Sequence, residues 1–347
     1  MHIINLMLDI RAGGIEQAFV DYCEGLKSRG HRITAVTHPR AVVNAQLKAL
    51  GVSTITMRNL GEWDVFAARR LRRRLQILKP DVTISHTHRS YALAQRATAG
   101  LFPLVGTAHN YHSRTRRAVS ADAVFATTHD LMDVMIRHGV PENRIFHIPN
   151  MVRCHELPSR DGRHIPPVIG SLGRFVKKKG FDVFIDALAL LKKRGYSFSA
   201  VLGGIGGEAR HLKKRARRAG LRDVLDFPGW VKDKRAFYTG LDLFCLPSLH
   251  EPFGIVLLEA FVHGVPVIAT DSEGPHDIIT PNFDALIVPI GNAEAMADAL
   301  AKLLDNVPLA DNLAANAFAK AKMAYSIETV CARIEKALEA VLQQGKK

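Results

Sequence analysis

Short apolar, β-branched runs alternate with amphipathic stretches along the whole of this 347-residue chain. In the first half they read HIINLML, RITAVTH, STITM, DVTISHTH, LVGTAHN, AVFATTH and RIFHIPN; the second half resumes with VIGSLGRF, FSAVLGG, LDFPGW, LDLFCLPS, VPVIATD and ALIVPI. Helical periodicity fills the gaps, as at 180–194 and 292–305. Strands separated by helices pair in parallel, and a parallel sheet covered on both faces needs nearly continuous apolar strands. Between the two series PNMVRCHELPSRDGRHIPP (149–167) carries proline and charge without an apolar period, the composition of a linker. The expected fold class is α/β, with two Rossmann-like units of parallel sheet at 1–160 and 161–325. Residues 326–347 read as an amphipathic helix with a polar tail, expected to pack back on the first unit. Ligands of such sheets collect at the carboxyl ends of the strands, so binding is expected in a cleft where two such edges face each other.

Lysine and arginine outnumber aspartate and glutamate 47 to 33, a formal charge of +14, which favours an anionic partner. The excess is clustered in RRLRRRLQILK (69–79), SRTRR (113–117), VKKK (176–179) and RHLKKRARR (210–218). In the first cluster Leu71, Leu75 and Leu78 share one helix face and arginines fill the rest. That pattern suits either a solvated face or docking to an anionic membrane surface or phosphorylated acceptor. Nucleic acid is disfavoured: no finger spacing occurs and no aromatic stripe interleaves the basic residues. No apolar run approaches the roughly 20 residues of a membrane span. The start, MHIINLMLDIRAGG, lacks the basic region of a signal peptide, and Cys23, Cys154, Cys245 and Cys331 follow no disulfide-framework or C-x-x-C spacing. The expected location is the cytoplasm, with peripheral binding to the inner face of the membrane as the role of the basic surface.

Glu251 and Glu259 bracket an otherwise apolar run in HEPFGIVLLEA (250–260). Glutamate is almost never buried unpaired, because a carboxylate without partners out of water costs several kcal/mol. Pro252 and Gly254 place a helix start between the two. Its first-turn N–H groups and positive dipole end form an anion site, which Gly254 lets a ligand approach closely. A phosphate there would repel a carboxylate beside it, so both glutamates are expected to accept from hydroxyls. The arrangement suits a sugar, a diphosphate and a ribose in a row. The competing reading makes Glu259 half of a buried Glu–Arg pair and Glu251 a plain loop carboxylate.

GSLGRFVKKKG (170–180) offers the counter-charge, with Arg174 and Lys177, Lys178 and Lys179 at the carboxyl end of a strand; spacing does not fix which lysine points inward. GGIGGE (203–208) is either a ligand-facing turn or tight packing, and Trp230 of FPGWV (227–231) stands either by a base or in the core. In the first half, His86 and His88 of SHTH and His109 of GTAHN follow strands. Together with His112 they offer H-x-H and H-x2-H spacing, but no carboxylate pair accompanies them and no metal is expected. His109 is read as a sugar-contacting residue; His86, His88 and His112 are acceptor contacts or polar rim.

EPFGIVLLE with its E-x7-E spacing, GVPVIAT, EGPHDIIT, GGIE, GTAHN, IPN, GRFVKKKG and LDLFCLPSLHEPFG together resemble the GT-B-fold retaining glycosyltransferases of family 4, which include lipopolysaccharide-core and mannosyl transferases. The resemblance spans nearly the whole chain. It implies that Glu259 binds donor ribose hydroxyls, and that Glu251 holds a hydroxyl of the transferred sugar. It implies that Arg174 and Lys179 neutralise the diphosphate with the backbones of Phe253, Gly254 and Ile255, and that Val231 contacts the base. Gly13 and Gly14 would admit donor phosphate and acceptor, and His109 would stand over the reacting sugar. The chain departs from the family pattern at Asp277, where glutamate is usual, and at GGIGGE, which puts donor details in question.

The implied activity is transfer of a sugar from a nucleotide-diphosphate sugar, UDP before GDP on family frequency, to a hydroxyl of a glycolipid or saccharide of the cell envelope. The resemblance implies retention, and the absence of a DxD-type carboxylate pair agrees with metal independence; no cofactor is expected. The rivals are a nucleotide-sugar epimerase of the same fold and a scaffold that binds nucleotide sugars without turnover.

Overall fold

The computed structural model describes residues 1–10, 13–111, 119–157 and 162–344. His112 and the basic run at 113–117 lie outside the described residues, as does part of the 149–167 stretch. The chain divides into two compact units, one of residues 1–151 plus the segment from Ser326 onward, the other Val152–Tyr325.

In unit one the strands are β1 (His2–Met7), β2 (Arg32–Thr37), β3 (Ser53–Thr56), β4 (Val82–Ser85), β5 (Leu104–Ala108), β6 (Ala123–Ala126) and β7 (Ile145–His147), joined through α1 (Gly14–Ser28), α2 (Asn44–Ala49), α3 (Val65–Leu78), α4 (His88–Thr98) and α5 (His129–Arg137). They form a parallel sheet in the order β3-β2-β1-β4-β5-β6-β7. All six residues of β1 are buried. Ile3 and Met7 join the core on one face of the sheet and Ile4 and Leu6 the core on the other, the two-residue period of a strand covered on both sides. Side-chain caps start the helices: Asp64 accepts from Ala67 N in α3 and Thr87 from Ser90 N in α4, each worth about 1 kcal/mol. On α3, Leu71 and Leu75 are buried and Leu78 half-buried, while Arg69, Arg70, Arg73 and Arg74 are exposed, so the leucine face docks as the spacing predicts.

Unit two repeats the scheme with β8 (Val168–Leu172), β9 (Ser199–Gly203), β10 (Leu225–Gly229), β11 (Leu243–Leu246), β12 (Val267–Thr270) and β13 (Leu286–Val288), in the parallel order β10-β9-β8-β11-β12-β13. Its helices are α6 (Phe181–Lys193), α7 (Ala209–Arg218), α8 (Lys234–Thr239), α9 (Ile255–Val262), α10 (Glu273–Ile278), α11 (Ala293–Asp305) and α12 (Val307–Tyr325). The strand order reverses between β8 and β11, a switch point whose crevice opens at the carboxyl ends. Unit two takes up the chain at Val152 rather than at 161, because Val152 is buried in its core and its N–H donates to Tyr325 O at 2.9 Å.

The last helix, α13 (Ile327–Gln344), belongs to unit one. Its buried face, Ile327, Val330, Cys331, Ile334, Leu338 and Val341, shares a core with Phe19, Tyr22 and Leu26 of α1. Gly25 permits the approach: a Cβ there would lie 2.3 Å from Cys331 Sγ.

Candidate active site

The loops at the switch point of unit two carry Arg174, Lys179, Glu251, Phe253 and Gly254, which the sequence singles out in the second half. Gly254 caps α9 in the left-handed region at φ 93, which a side chain would strain. Behind it Gly274 of α10 sits against the same loop; a Cβ at 274 would fall 2.1 Å from Phe253 O. Phe253 is buried, and Glu251 O accepts from Gly274 N at 2.7 Å. Phe253, Gly254 and Ile255 are thereby held at the start of α9, where the first N–H groups have no intrahelical acceptor.

Glu251, in the loop after β11, is 6% exposed, and Glu259, in the second turn of α9, is 7% exposed. Each carries a lysine. Glu251 pairs with Lys179, and Ser248 Oγ donates to its Oε2 at 3.3 Å. The backbone N–H of Glu251 donates to Glu273 Oε2 at 3.0 Å, while His250 is bonded to the other oxygen of Glu273. Burial opposes the charge on Glu273, but these bonds and one from its own N–H outweigh it and hold the carboxyl below its ordinary range. Glu259 pairs with Lys234 through Oε1 and accepts from Tyr238 Oη at 3.0 Å through Oε2. Burial first, and the adjacent carboxylate second, push the Tyr238 hydroxyl well above its ordinary value, so it keeps its proton and donates. The buried pair that the competing reading gave Glu259 is made with lysine rather than arginine, and Glu251 is no plain loop carboxylate but is paired with Lys179. A carboxylate has about four acceptor positions, so these partners leave room for hydroxyl donors.

Lys179 is the lysine of the KKK run that turns inward; Lys177 and Lys178 are exposed. Lys178 O accepts from Leu249 N and His250 N at 2.9 and 3.2 Å, which ties the loop after β8 to the loop after β11. Arg174, exposed, stands in the same β8 loop. GGIGGE is a packing device: Cβ atoms at Gly204 and Gly206 would lie 1.9 Å from Gly173 O and 2.3 Å from Phe175 O. Val231 is half-buried. Trp230 is 53% exposed, so it is no core residue.

In unit one, Gly14 begins α1 and Gly13 caps it in an extended conformation open to any residue. His86 directly follows β4 and His109 directly follows β5, both buried. Their ring nitrogens, His86 Nδ1 and His109 Nε2, lie 3.2 Å apart, and His86 Nε2 reaches Asn5 Oδ1 at 2.7 Å. Burial pushes the His109 imidazole down to about 4, with the neighbouring Asn150 amide opposing it. His88 is half-buried at the start of α4.

Sequence reasoning missed Lys234, Tyr238, Glu273 and Asn5. Only Asn5, a polar residue inside an apolar strand, carries a signal that could have found it.

Buried carboxylates, each paired with a lysine, stand around a helix start at the switch point of a parallel sheet, an arrangement with the chemistry to accept an anion and hydroxyl donors. The model for glycosyl transferases group 1 matches residues 159–320, and that for glycosyltransferase family 4 matches residues 12–156. The chain belongs to the family 4, group 1 glycosyltransferases and is a transferase enzyme. It is similar to the lipopolysaccharide core biosynthesis glycosyltransferase LpsE of Rhizobium meliloti, 29% identical over 87% of this chain and 88% of that protein. It is 33% identical to a phosphatidyl-myo-inositol mannosyltransferase of Mycobacterium leprae, over 58% of this chain and 54% of that one. Its fold matches that of Anabaena HepE in complex with UDP-glucose, with a TM-score of 0.86 at 20% identity, covering 98% of this chain and 99% of that one. The fold is thus GT-B, with two Rossmann-like units as expected.

Proposed function

We propose that the chain moves a glycosyl group from a UDP-sugar to a hydroxyl of a lipopolysaccharide-type glycolipid or saccharide, with retention and without a metal. The observation that carries this reading is the pair of buried carboxylates, each on a lysine, on either side of the α9 start. HepE has been crystallised with UDP and with UDP-glucose, and LpsE is a lipopolysaccharide core transferase, which supports the donor and the class of acceptor.

In this reading Glu259 accepts from the ribose hydroxyls and Glu251 from the transferred sugar, on the acceptor positions their lysines leave over. Arg174, Lys179 and the backbones of Phe253, Gly254 and Ile255 face the diphosphate, and Val231 the base. Gly13 and Gly14 admit donor phosphate and acceptor, and His109 faces the reacting sugar. The bond from the anomeric carbon to the diphosphate oxygen breaks as one to the acceptor oxygen forms on the same face. The acceptor proton passes to the departing phosphate, whose charge the basic groups and the helix dipole stabilise.

The acceptor side of the reading includes an anionic membrane surface, with the protein on its cytoplasmic face. No described helix is long and apolar enough to cross a membrane. The exposed arginines of α3 run beside exposed Leu60, Trp63, Val65 and Phe66, an apolar and basic combination suited to an interface.

A thermal-shift panel of nucleotide sugars tests the donor: a ligand at about 100 times its Kd adds roughly 2.7 kcal/mol. UDP-sugars that leave the melting temperature unchanged at millimolar concentration would remove the donor assignment. An inverted linkage in the product, read by NMR, would remove retention.

A further inference from the structure

Asn5 is a fully buried amide in β1, between Ile3 and Met7 on the same face of the sheet. A buried amide must place its donors and its acceptor. Its Nδ2 donates to Phe19 O and to Cys23 Sγ, each at 3.1 Å. A carbonyl oxygen only accepts, so this contact assigns which end of the amide is nitrogen. Oδ1 then faces His86 Nε2 at 2.7 Å, and that nitrogen must carry the hydrogen.

The His86 ring is held at right angles to Phe19 and Tyr22 of α1, with centroids 5.4 and 4.8 Å away. Burial, and then the nearness of His109, keep it uncharged. A neutral imidazole with its hydrogen on Nε2 has a lone pair on Nδ1. That nitrogen meets His109 Nε2 at 3.2 Å. The ring centroids are 5.5 Å apart and the planes 18° from parallel. The centroid separation exceeds the nitrogen separation by about two ring radii, so the rings meet edge to edge with the contact along both planes. This is the alignment of an N–H···N hydrogen bond, and its donor is His109 Nε2.

We propose that Asn5 and His86 are positioning residues that fix His109 as its Nε2–H tautomer, so that the side chain offers an acceptor nitrogen, Nδ1, and no donor. The three residues come from three neighbouring strands, Asn5 within β1, His86 just after β4 and His109 just after β5, so the sheet itself sets the spacing. Nδ1 is buried and makes no hydrogen bond among the described residues, and Asn150 Oδ1, from the amide beside the His109 ring, is likewise buried and unbonded. A hydrogen on Nδ1 directed at that oxygen is the competing arrangement that the test below detects. A buried acceptor of this kind selects a group that brings a hydrogen, a hydroxyl, over a phosphate or carboxylate oxygen. This selectivity rests on the reading of His109 as the residue facing the sugar; the tautomer does not.

The test is a long-range proton–nitrogen spectrum of the full chain labelled with nitrogen-15 histidine, with His109 assigned through the backbone or by loss of its signals in His109→Gln. The expected spectrum shows His109 as one tautomer, Nδ1 at the shift of a bare imidazole nitrogen and Nε2 at that of an N–H. A hydrogen on Nδ1, or averaged shifts for the two nitrogens, would overturn the proposal. In Asn5→Leu, with its melting transition retained, the two His109 shifts should move toward each other, and an unchanged spectrum there would remove Asn5 from the relay. If Asn5→Leu does not fold, the parent spectrum still decides the tautomer. Turnover is the weaker readout, since even an equal mixture of tautomers lowers the productive fraction only about twofold. Full turnover in His109→Gln with the tautomer as proposed would remove the sugar-facing reading and leave the relay. Lost turnover with the opposite tautomer would do the reverse.

Discussion

Glu259 is held by two donors of unequal exposure, and the inequality gives a prediction in two parts. The Lys234 side chain is 43% exposed, whereas Tyr238 is buried. In Lys234→Met the carboxylate keeps Tyr238 and loses its counter-charge. Breaking a fully buried ion pair costs about 3–5 kcal/mol, but water reaches this lysine, so the expected loss is about 1–2 kcal/mol. That is a fall in melting temperature of roughly 2–8 °C. In Glu259→Gln the amide oxygen still accepts from Tyr238 and Lys234 turns to solvent, so stability should change by less than about 1 kcal/mol. Nucleotide affinity should follow the opposite ranking. The ribose hydroxyls lose a charged acceptor worth about 1.5–3 kcal/mol in Glu259→Gln, roughly a ten- to hundredfold weaker Kd. Lys234→Met frees an acceptor position and should bind at least as tightly as the parent. Calorimetry with UDP, run beside thermal melting of the three proteins, reads both quantities. Parent-like affinity in Glu259→Gln would refute the ribose assignment. An equal loss in both variants would show that Lys234 holds the ligand and Glu259 merely holds Lys234.

Gly274→Ala should weaken UDP binding more than tenfold and cost about 1–3 kcal/mol of stability, since its Cβ would displace the Phe253 carbonyl that shapes the α9 start; calorimetry and melting check it. Acid should destabilise the protein through His109. Its folded value of about 4 lies below the ordinary 6.5, so the unfolded chain takes the proton first as pH falls. This contribution is intact above about pH 6.5 and is lost between there and about pH 4, by roughly 1.4 kcal/mol per unit, and His109→Gln should flatten that limb of a pH-dependent melting series. Replacing Arg70, Arg73 and Arg74 together by glutamine should reduce cosedimentation with anionic vesicles at low salt; equal pelleting of variant and parent would leave α3 as solvated surface.

The strands were legible because parallel sheets leave a plain trace: apolar runs such as VFA in β6 and LFCL in β11 admit no polar face. Glu251 and Glu259 were legible because Pro252 and Gly254 fix the helix start between them. Their partners were not. Lys234 lies 25 positions before Glu259, on another helix, and no periodicity links the two. Lys179 differs from Lys177 and Lys178 only in where a short turn points it, which depends on Gly180 at φ 61 packing against Pro247 O. The border at Val152 depends on one side chain entering a core, too little to register in composition. Of the two readings of Trp230 the core one fails: its size argues for burial, but it follows a strand end and is left in solvent.

The return of α13 to unit one has a consequence for the order in which the chain can fold. Unit two is one uninterrupted segment whose first and last residues are joined by the bond from Val152 N to Tyr325 O. Every residue it needs has been synthesised by Tyr325. Unit one, begun first, lacks one wall of its core until Val330, Ile334, Leu338 and Val341 have emerged. On the ribosome, where domains fold as their sequences are completed, the part made second can therefore finish first. The part made first waits, with the groove beside α1 open, until α13 has been made.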